Sequence, residues 1–180
     1  MPTTEALVPL LVAVPLSGAL LAFGAGLVDD RLSEAVAWVA LAAQVALAGW
    51  IGATVFADGP LSTEVGGFAV PYGIELAVDG LSAVVALLVA VVALAVLAYV
   101  RTDTDAPGGA AFYAEYLLLA AGLSGMSVTG DVFNLYVFLE ISGLATYALV
   151  ASSGTGRAAV SALKYLMFGT VAASLYLLLF

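Results

Sequence analysis

The sequence predicts an all-α membrane protein of about six transmembrane helices. Of its 180 residues, 64% are hydrophobic and only 9% are charged. A soluble domain is roughly 45–50% apolar and about 25% charged. The apolar residues gather in runs of about 20, the length that crosses a bilayer. Most of the acids fall between these runs, Asp29, Asp30, Asp58, Glu64, Asp103 and Asp105 among them.

The first run, Ala6–Val28, is uncharged. It is too long for the core of a cleaved leader and follows Glu5 instead of a basic cluster. Gly18, Ala22 and Gly26 recur every four residues along it, a stripe that lets a second helix approach closely. Ala35–Ala57 is the second span. Gly80–Val100 is the third, with Asp79 placed to cap its N-terminus. The fourth, Phe112–Thr129, carries a similar stripe at Ala121, Gly125 and Thr129, and Gly130-Asp131 then predicts a tight turn. The fifth is Val132–Ala151. After the Ser152-Ser153-Gly154-Thr155-Gly156 linker comes the sixth, Ala158–Phe180. In the long connection 58–79, Phe68–Val70 and Ile74–Ala77 flank Pro71-Tyr72-Gly73 and predict a short hairpin against the membrane surface. Residues 1–180 are thus expected to form one transmembrane domain. Because Leu177-Leu178-Leu179-Phe180 has no polar flank, a fragment or a split gene is expected.

Arg31, Arg101 and Arg157 stand in the first, third and fifth connections, while the N-terminus and the other connections hold no Lys or Arg. The positive-inside rule then places the odd connections in the cytoplasm and both chain ends outside. A multi-pass protein of the cell membrane follows.

The chain has no Cys and no His. Disulfides, thiolate sites and His-bound metals are therefore excluded, and no cofactor or metal is expected. Proton chemistry falls to carboxylates, Lys, Tyr or water. A net charge of −9, from 13 acids and 4 bases, argues against nucleic acid or an anionic surface as partner.

Two ionisable residues, Glu140 and Lys164, lie deep in the fifth and sixth runs. A charge there costs at least ~2.5 kcal/mol and commonly marks an ion path. Glu140 is nine residues past Asp131, hence ~13 Å deep, and Lys164 is seven past Arg157, hence ~10 Å from the other face. Across a core of ~30 Å their heights differ by only ~7 Å, which predicts a pair in reach directly or through one water. Tyr136, Glu140, Gly143 and Tyr147 share one helix face, and Ser161 stands one turn before Lys164. The candidate proton relay is therefore Glu140 and Lys164, supported by Tyr136, Tyr147, Ser161 and Asp131. Plainer readings stay open: a static ion pair, a lysine snorkelling to the interface, packing tyrosines, Asp131 and Asp79 as helix caps, and Trp38 and Trp50 as packing or interface residues.

The wording of the fifth span, Thr129-Gly130-Asp131-Val132-Phe133-Asn134-Leu135-Tyr136-Val137-Phe138-Leu139-Glu140, resembles a motif of the antiporter-like membrane subunits. Thr146-Tyr147-Ala148-Leu149-Val150, Ala162-Leu163-Lys164-Tyr165-Leu166, Pro71-Tyr72-Gly73-Ile74-Glu75 and Val78-Asp79-Gly80-Leu81-Ser82-Ala83 fit as well. The resemblance is to the D subunits of Mrp-type multisubunit cation/proton antiporters, within a superfamily that includes membrane subunits of NADH:quinone oxidoreductase and energy-converting hydrogenases. It implies the N-terminal part of an antiporter-like bundle. It also implies a proton-translocating subunit exchanging sodium or another monovalent cation, working with other subunits in the bilayer. Glu140 matches the family's fifth-helix glutamate and Lys164 a sixth-helix lysine, while the main partner lysine of the family lies on a seventh helix. A pump subunit of a redox-driven complex, which would make it part of a translocase enzyme, and a non-transporting scaffold are the alternatives.

Overall fold

The computed structural model describes residues 2–66, 73–102, 109–152 and 155–179. In order they form α1 (Pro2–Glu5), α2 (Leu10–Gly26), α3 (Asp30–Asp58), β1 (Leu61–Val65), β2 (Ile74–Val78), α4 (Gly80–Val100), α5 (Ala110–Val128), α6 (Val132–Ala151) and α7 (Gly156–Leu178). Helices α3 to α7 are long and apolar enough to cross a membrane, and α2 is a shorter apolar helix.

The first predicted run is divided. Leu7 N and Val8 N bond three residues back, to Thr4 O and Glu5 O. Pro9, which has no N–H to continue such a ladder, stands before α2. Elsewhere the ends obey capping chemistry. Asp29, Asp79, Asp131 and Thr155 each accept a hydrogen bond from a backbone N–H of the first turn of α3, α4, α6 and α7. The Asp29 cap starts α3 five residues ahead of the predicted span, so it runs for 29 residues.

The hairpin exists, with a different partner. β2 covers the predicted Ile74–Ala77 strand, but it pairs antiparallel with β1, Leu61 opposite Val78 and Val65 opposite Ile74. The predicted strand Phe68–Val70 lies outside the described residues. Alternation explains the arrangement: Leu76 and Val78 of β2 and Leu61 of β1 turn inward onto Val8, Ile51, Val55 and Val128. A bridge from Leu76 to Thr129 ties the hairpin to the entry of α6.

The helices run alternately up and down around α5, which packs on α2, α3, α4 and α6, whereas α7 rests on α6. Small residues set these contacts. A Cβ on Gly18 would stand 2.8 Å from the Cβ of Ala40 on α3, and one on Gly26 would run into Ala110 at the start of α5. On α5 a Cβ at Gly122 would meet Ser142 N at 2.9 Å and Phe138 O at 3.0 Å, and Gly125 is covered by the Phe138 ring. At the arginine-bearing end, Asp30 Oδ1 accepts from Ala110 N at 3.1 Å, and Arg101 Nε lies 3.5 Å from Glu34 Oε1. Trp38 keeps its Nε1 enclosed without a hydrogen-bond partner, whereas Trp50 faces outward, 64% exposed.

A polar knot sits among α2, α3 and α5. Pro15, inside α2, has no N–H to give to the carbonyl of Leu11 four residues earlier. Gln44 of α3, completely buried, donates its Nε2 to Leu11 O at 2.7 Å and to Ser124 Oγ at 3.0 Å.

Candidate functional site: the α6–α7 seam

α6 begins in a compact polar turn. Asp131 Oδ1 accepts from Asn134 N at 2.7 Å, and Asn134 Nδ2 donates to Thr129 Oγ1 at 3.1 Å. Asp131 therefore acts as a helix cap, held at the mouth of the seam. It lines a cleft of about 520 Å³ with Gly130, Val132, Phe133, Tyr176 and Leu177.

Two tyrosine pairs register α6 against α7. Tyr136 stacks on Tyr176, centroids 6.5 Å apart and planes within 7°. Tyr147 meets Tyr165 edge-on at 4.9 Å. The partners are each separated by three turns of helix, so antiparallel rods bring them together twice. The tyrosines on α7 are absent from the predicted site, although the matching intervals, 136 to 147 and 165 to 176, announce them.

Glu140 lies between these pairs on the same stripe of α6 and is half-buried. A second cleft, of about 450 Å³, runs between α5, α6 and α7, lined by neighbours of Glu140 and not by Glu140 itself. Leu139, Ser142, Gly143, Thr146 and Tyr147 line it on α6, and Tyr165, Gly169, Ala172, Ala173 and Tyr176 on α7. Ser142 Oγ donates to Phe138 O at 2.7 Å and Thr146 Oγ1 to Ser142 O at 2.8 Å, leaving their oxygens as acceptors on its wall. The glycines make room for a side chain: a Cβ at Gly143 would stand 3.2 Å from the Tyr147 hydroxyl, and at Gly169 that hydroxyl occupies the place of a Cβ.

Lys164 is placed differently. It is exposed, as is Ser161, and it precedes Tyr165 by one residue, hence about 100° around the helix from the seam. The tyrosine register puts Ala172 level with Glu140, so Lys164 lies eight residues, about 12 Å, further along the axis. The four Lys and Arg residues of the chain are all described, and among the described residues the ion pair is Arg101–Glu34. Glu140 and Lys164 thus share a helix pair without touching. Among the described residues no cluster of three or more Asp or Glu could hold a metal ion. Glu115 of α5 is a further acid inside a spanning helix, absent from the predicted site because it stands near the start of its apolar run.

No family model matches the chain. It is 50% identical over 123 residues to the N subunit of NADH-quinone oxidoreductase from Desulforudis audaxviator, covering 66% of this chain and 24% of that protein. To the D subunit of the Na(+)/H(+) antiporter from Bacillus subtilis it is 34% identical over 135 residues, 74% of this chain and 27% of that protein. Among solved structures it superposes on a chain of the membrane-bound sulfane sulfur reductase, an archaeal respiratory membrane complex, with TM-score 0.88 and 31% identity, covering 95% of this chain and 35% of the other. It superposes on a chain of the Mrp complex from Dietzia sp. with TM-score 0.84 and 27% identity, covering 97% and 33%. The chain spans about a quarter of the length of the curated relatives it matches. By sequence and by fold it is a homologue of the antiporter-like membrane subunits, the group that holds the antiporter D subunits, the N subunits of NADH-quinone oxidoreductase and their counterparts in Mrp and related complexes.

Proposed function

We propose that the chain is part of a proton-translocating subunit of a multisubunit monovalent cation/proton antiporter, with sodium as the exchanged cation and Glu140 as the group that takes up and releases the proton. The observation that carries this is the position of Glu140: a half-buried carboxylate on the stripe of α6 that holds Tyr136 and Tyr147, between two tyrosine pairs, with its neighbours Leu139 and Gly143 lining a cleft. An intramembrane acid that faces a helix seam with room for water can exchange protons, and one facing lipid cannot. Lys164 acts at a distance. With an axial offset of about 12 Å and helix axes about 8–10 Å apart, the two charges are about 15 Å apart and at an effective dielectric of about 20 interact by about 1 kcal/mol, a bias on Glu140 that does not lock it. Lys164 then hands charge along the membrane plane to helices outside residues 1–180. The arginine-bearing end faces the cytoplasm, and the hairpin end, with the Asp131 cleft, faces outside. Other subunits of the complex and the bilayer are the partners.

A second reading makes the chain part of a proton pump driven by redox chemistry in neighbouring subunits. It draws support from the higher identity to the oxidoreductase N subunit, 50% against 34% for the antiporter D subunit. Gene neighbours separate the two: small antiporter subunits favour the first, iron–sulfur and quinone-site subunits the second. The experiment for the first is cation/proton exchange in vesicles carrying the complete complex with Glu140→Gln. Loss of exchange in a normally assembled complex is expected, and undiminished exchange refutes the role.

A further inference from the structure

Glu115 stands five residues past Ala110, about 8 Å into α5, and the relay leaves it unused. Its Oε2 is enclosed and has no hydrogen-bond partner. It borders a groove of about 250 Å³ between α2 and α5, whose other lining residues are all alanine, leucine and phenylalanine, Leu20 and Phe23 of α2 among them. A half-buried carboxyl in such surroundings either takes up a proton or pairs with a countercharge. No Lys or Arg of the chain is within ion-pair distance of Glu115: among the described residues the ion pair is Arg101–Glu34.

The groove also restricts what the countercharge can be. A bare metal cation needs several oxygen ligands, and the groove offers one carboxylate among apolar walls. A lysine or arginine side chain meets both conditions. Its methylene stem lies along apolar surface, and its head group donates charge-assisted hydrogen bonds to the carboxylate. The groove opens onto the outer face of α2, where Leu20, Leu21 and Phe23 are 73%, 63% and 52% exposed. That face continues the apolar surface on which a second helix would lie. The similar solved structures are of membrane complexes. We infer that the α2–α5 groove receives a transmembrane helix of a neighbouring subunit, anchored by a Lys or Arg that pairs with Glu115. The inference does not depend on Glu140: a complex in which Glu140→Gln leaves exchange intact would still carry this contact.

The test uses the assembled complex. A photoreactive p-benzoyl-phenylalanine is placed at Leu20, the complex is irradiated in the membrane, and adducts are mapped by mass spectrometry. The expected adduct is to another subunit, on a transmembrane segment with a Lys or Arg within about one helical turn of the attachment point. Glu115→Gln should then reduce retention of that subunit in detergent by about tenfold, and exchanging the two charges between the partners should restore it. An adduct to this same polypeptide, or to lipid alone, overturns the inference. So does full retention of the subunit with Glu115→Gln. Should that variant fail to accumulate, the photoadduct, made with Glu115 in place, still decides.

Discussion

Gln44 donates its side-chain amide to the carbonyl of Leu11 at 2.7 Å, the acceptor that the proline one turn later leaves vacant. The irregularity of α2 and the polar residue in α3 are therefore one feature. Gln44→Leu strands a carbonyl inside the bundle and should destabilise it by about 1–3 kcal/mol. Pro15→Ala restores an N–H to that carbonyl, so Pro15→Ala with Gln44→Leu should recover most of the loss. Thermal unfolding of the four proteins in detergent gives the coupling directly. Additive effects would show that the two residues are unrelated.

The α5–α6 contact rests on absent side chains. A Cβ at Gly122 would press on backbone atoms of Ser142 and Phe138, which cannot rotate away. Gly122→Ala should cost about 1–3 kcal/mol by overpacking. Gly24→Ala, where a Cβ would meet nothing within 4 Å, should be neutral or slightly stabilising, since alanine is the better helix former. Equal effects at both sites on the unfolding temperature would contradict this packing.

Tyr176 lines both clefts of the seam, and its stack on Tyr136 stands between the Asp131 mouth and Glu140. Tyr176→Ala should open that path. In a complex with Glu140→Cys, a membrane-impermeant thiol reagent added from the Asp131 side should react several-fold faster once Tyr176 is alanine, and Tyr176→Phe should leave the rate unchanged. A rate indifferent to Tyr176→Ala would place the path elsewhere.

Asp79 caps α4 through Ser82 N at 2.8 Å, and its hydrogen bonds to Ser82 hold its carboxyl below the ordinary value of 3.8. A lowered folded-state pKa contributes stability that is present above the unfolded value and lost as pH falls through the folded one. The unfolding temperature should therefore drop below about pH 4, and Asp79→Asn should flatten that part of the profile. An unchanged acid limb in the variant would assign the loss to other carboxylates.

Much of this architecture is legible in the chain. Runs of apolar residues and the turns between them give the bundle, and Asp79 and Asp131 read as caps because aspartate before an apolar run has one cheap use. Hydropathy hides the break at Pro9, since it sees an uninterrupted run where the backbone runs out of donors. The pairing of β2 with Leu61–Val65 is not legible in the chain, because Leu61 reveals its inward face only once it is buried against Val78. The facing of Glu140 follows from its spacing to the tyrosines. Loop ends set the predicted height of Lys164, and the register fixed by Tyr136–Tyr176 and Tyr147–Tyr165 shifts it by about 5 Å. Glu115 lies near the start of its run, where an acid passes for a solvated end. Only the packing of α2 over it reveals the enclosure.

The central claim is that Glu140 gains and loses a proton within the α6–α7 seam. Difference infrared spectroscopy of the purified complex, titrated across its working pH range, reads protonation of a buried carboxyl from its C=O stretch. The account predicts a titrating carboxyl band that Glu140→Gln abolishes and Glu115→Gln leaves in place. A titrating band that persists unaltered in Glu140→Gln would contradict it.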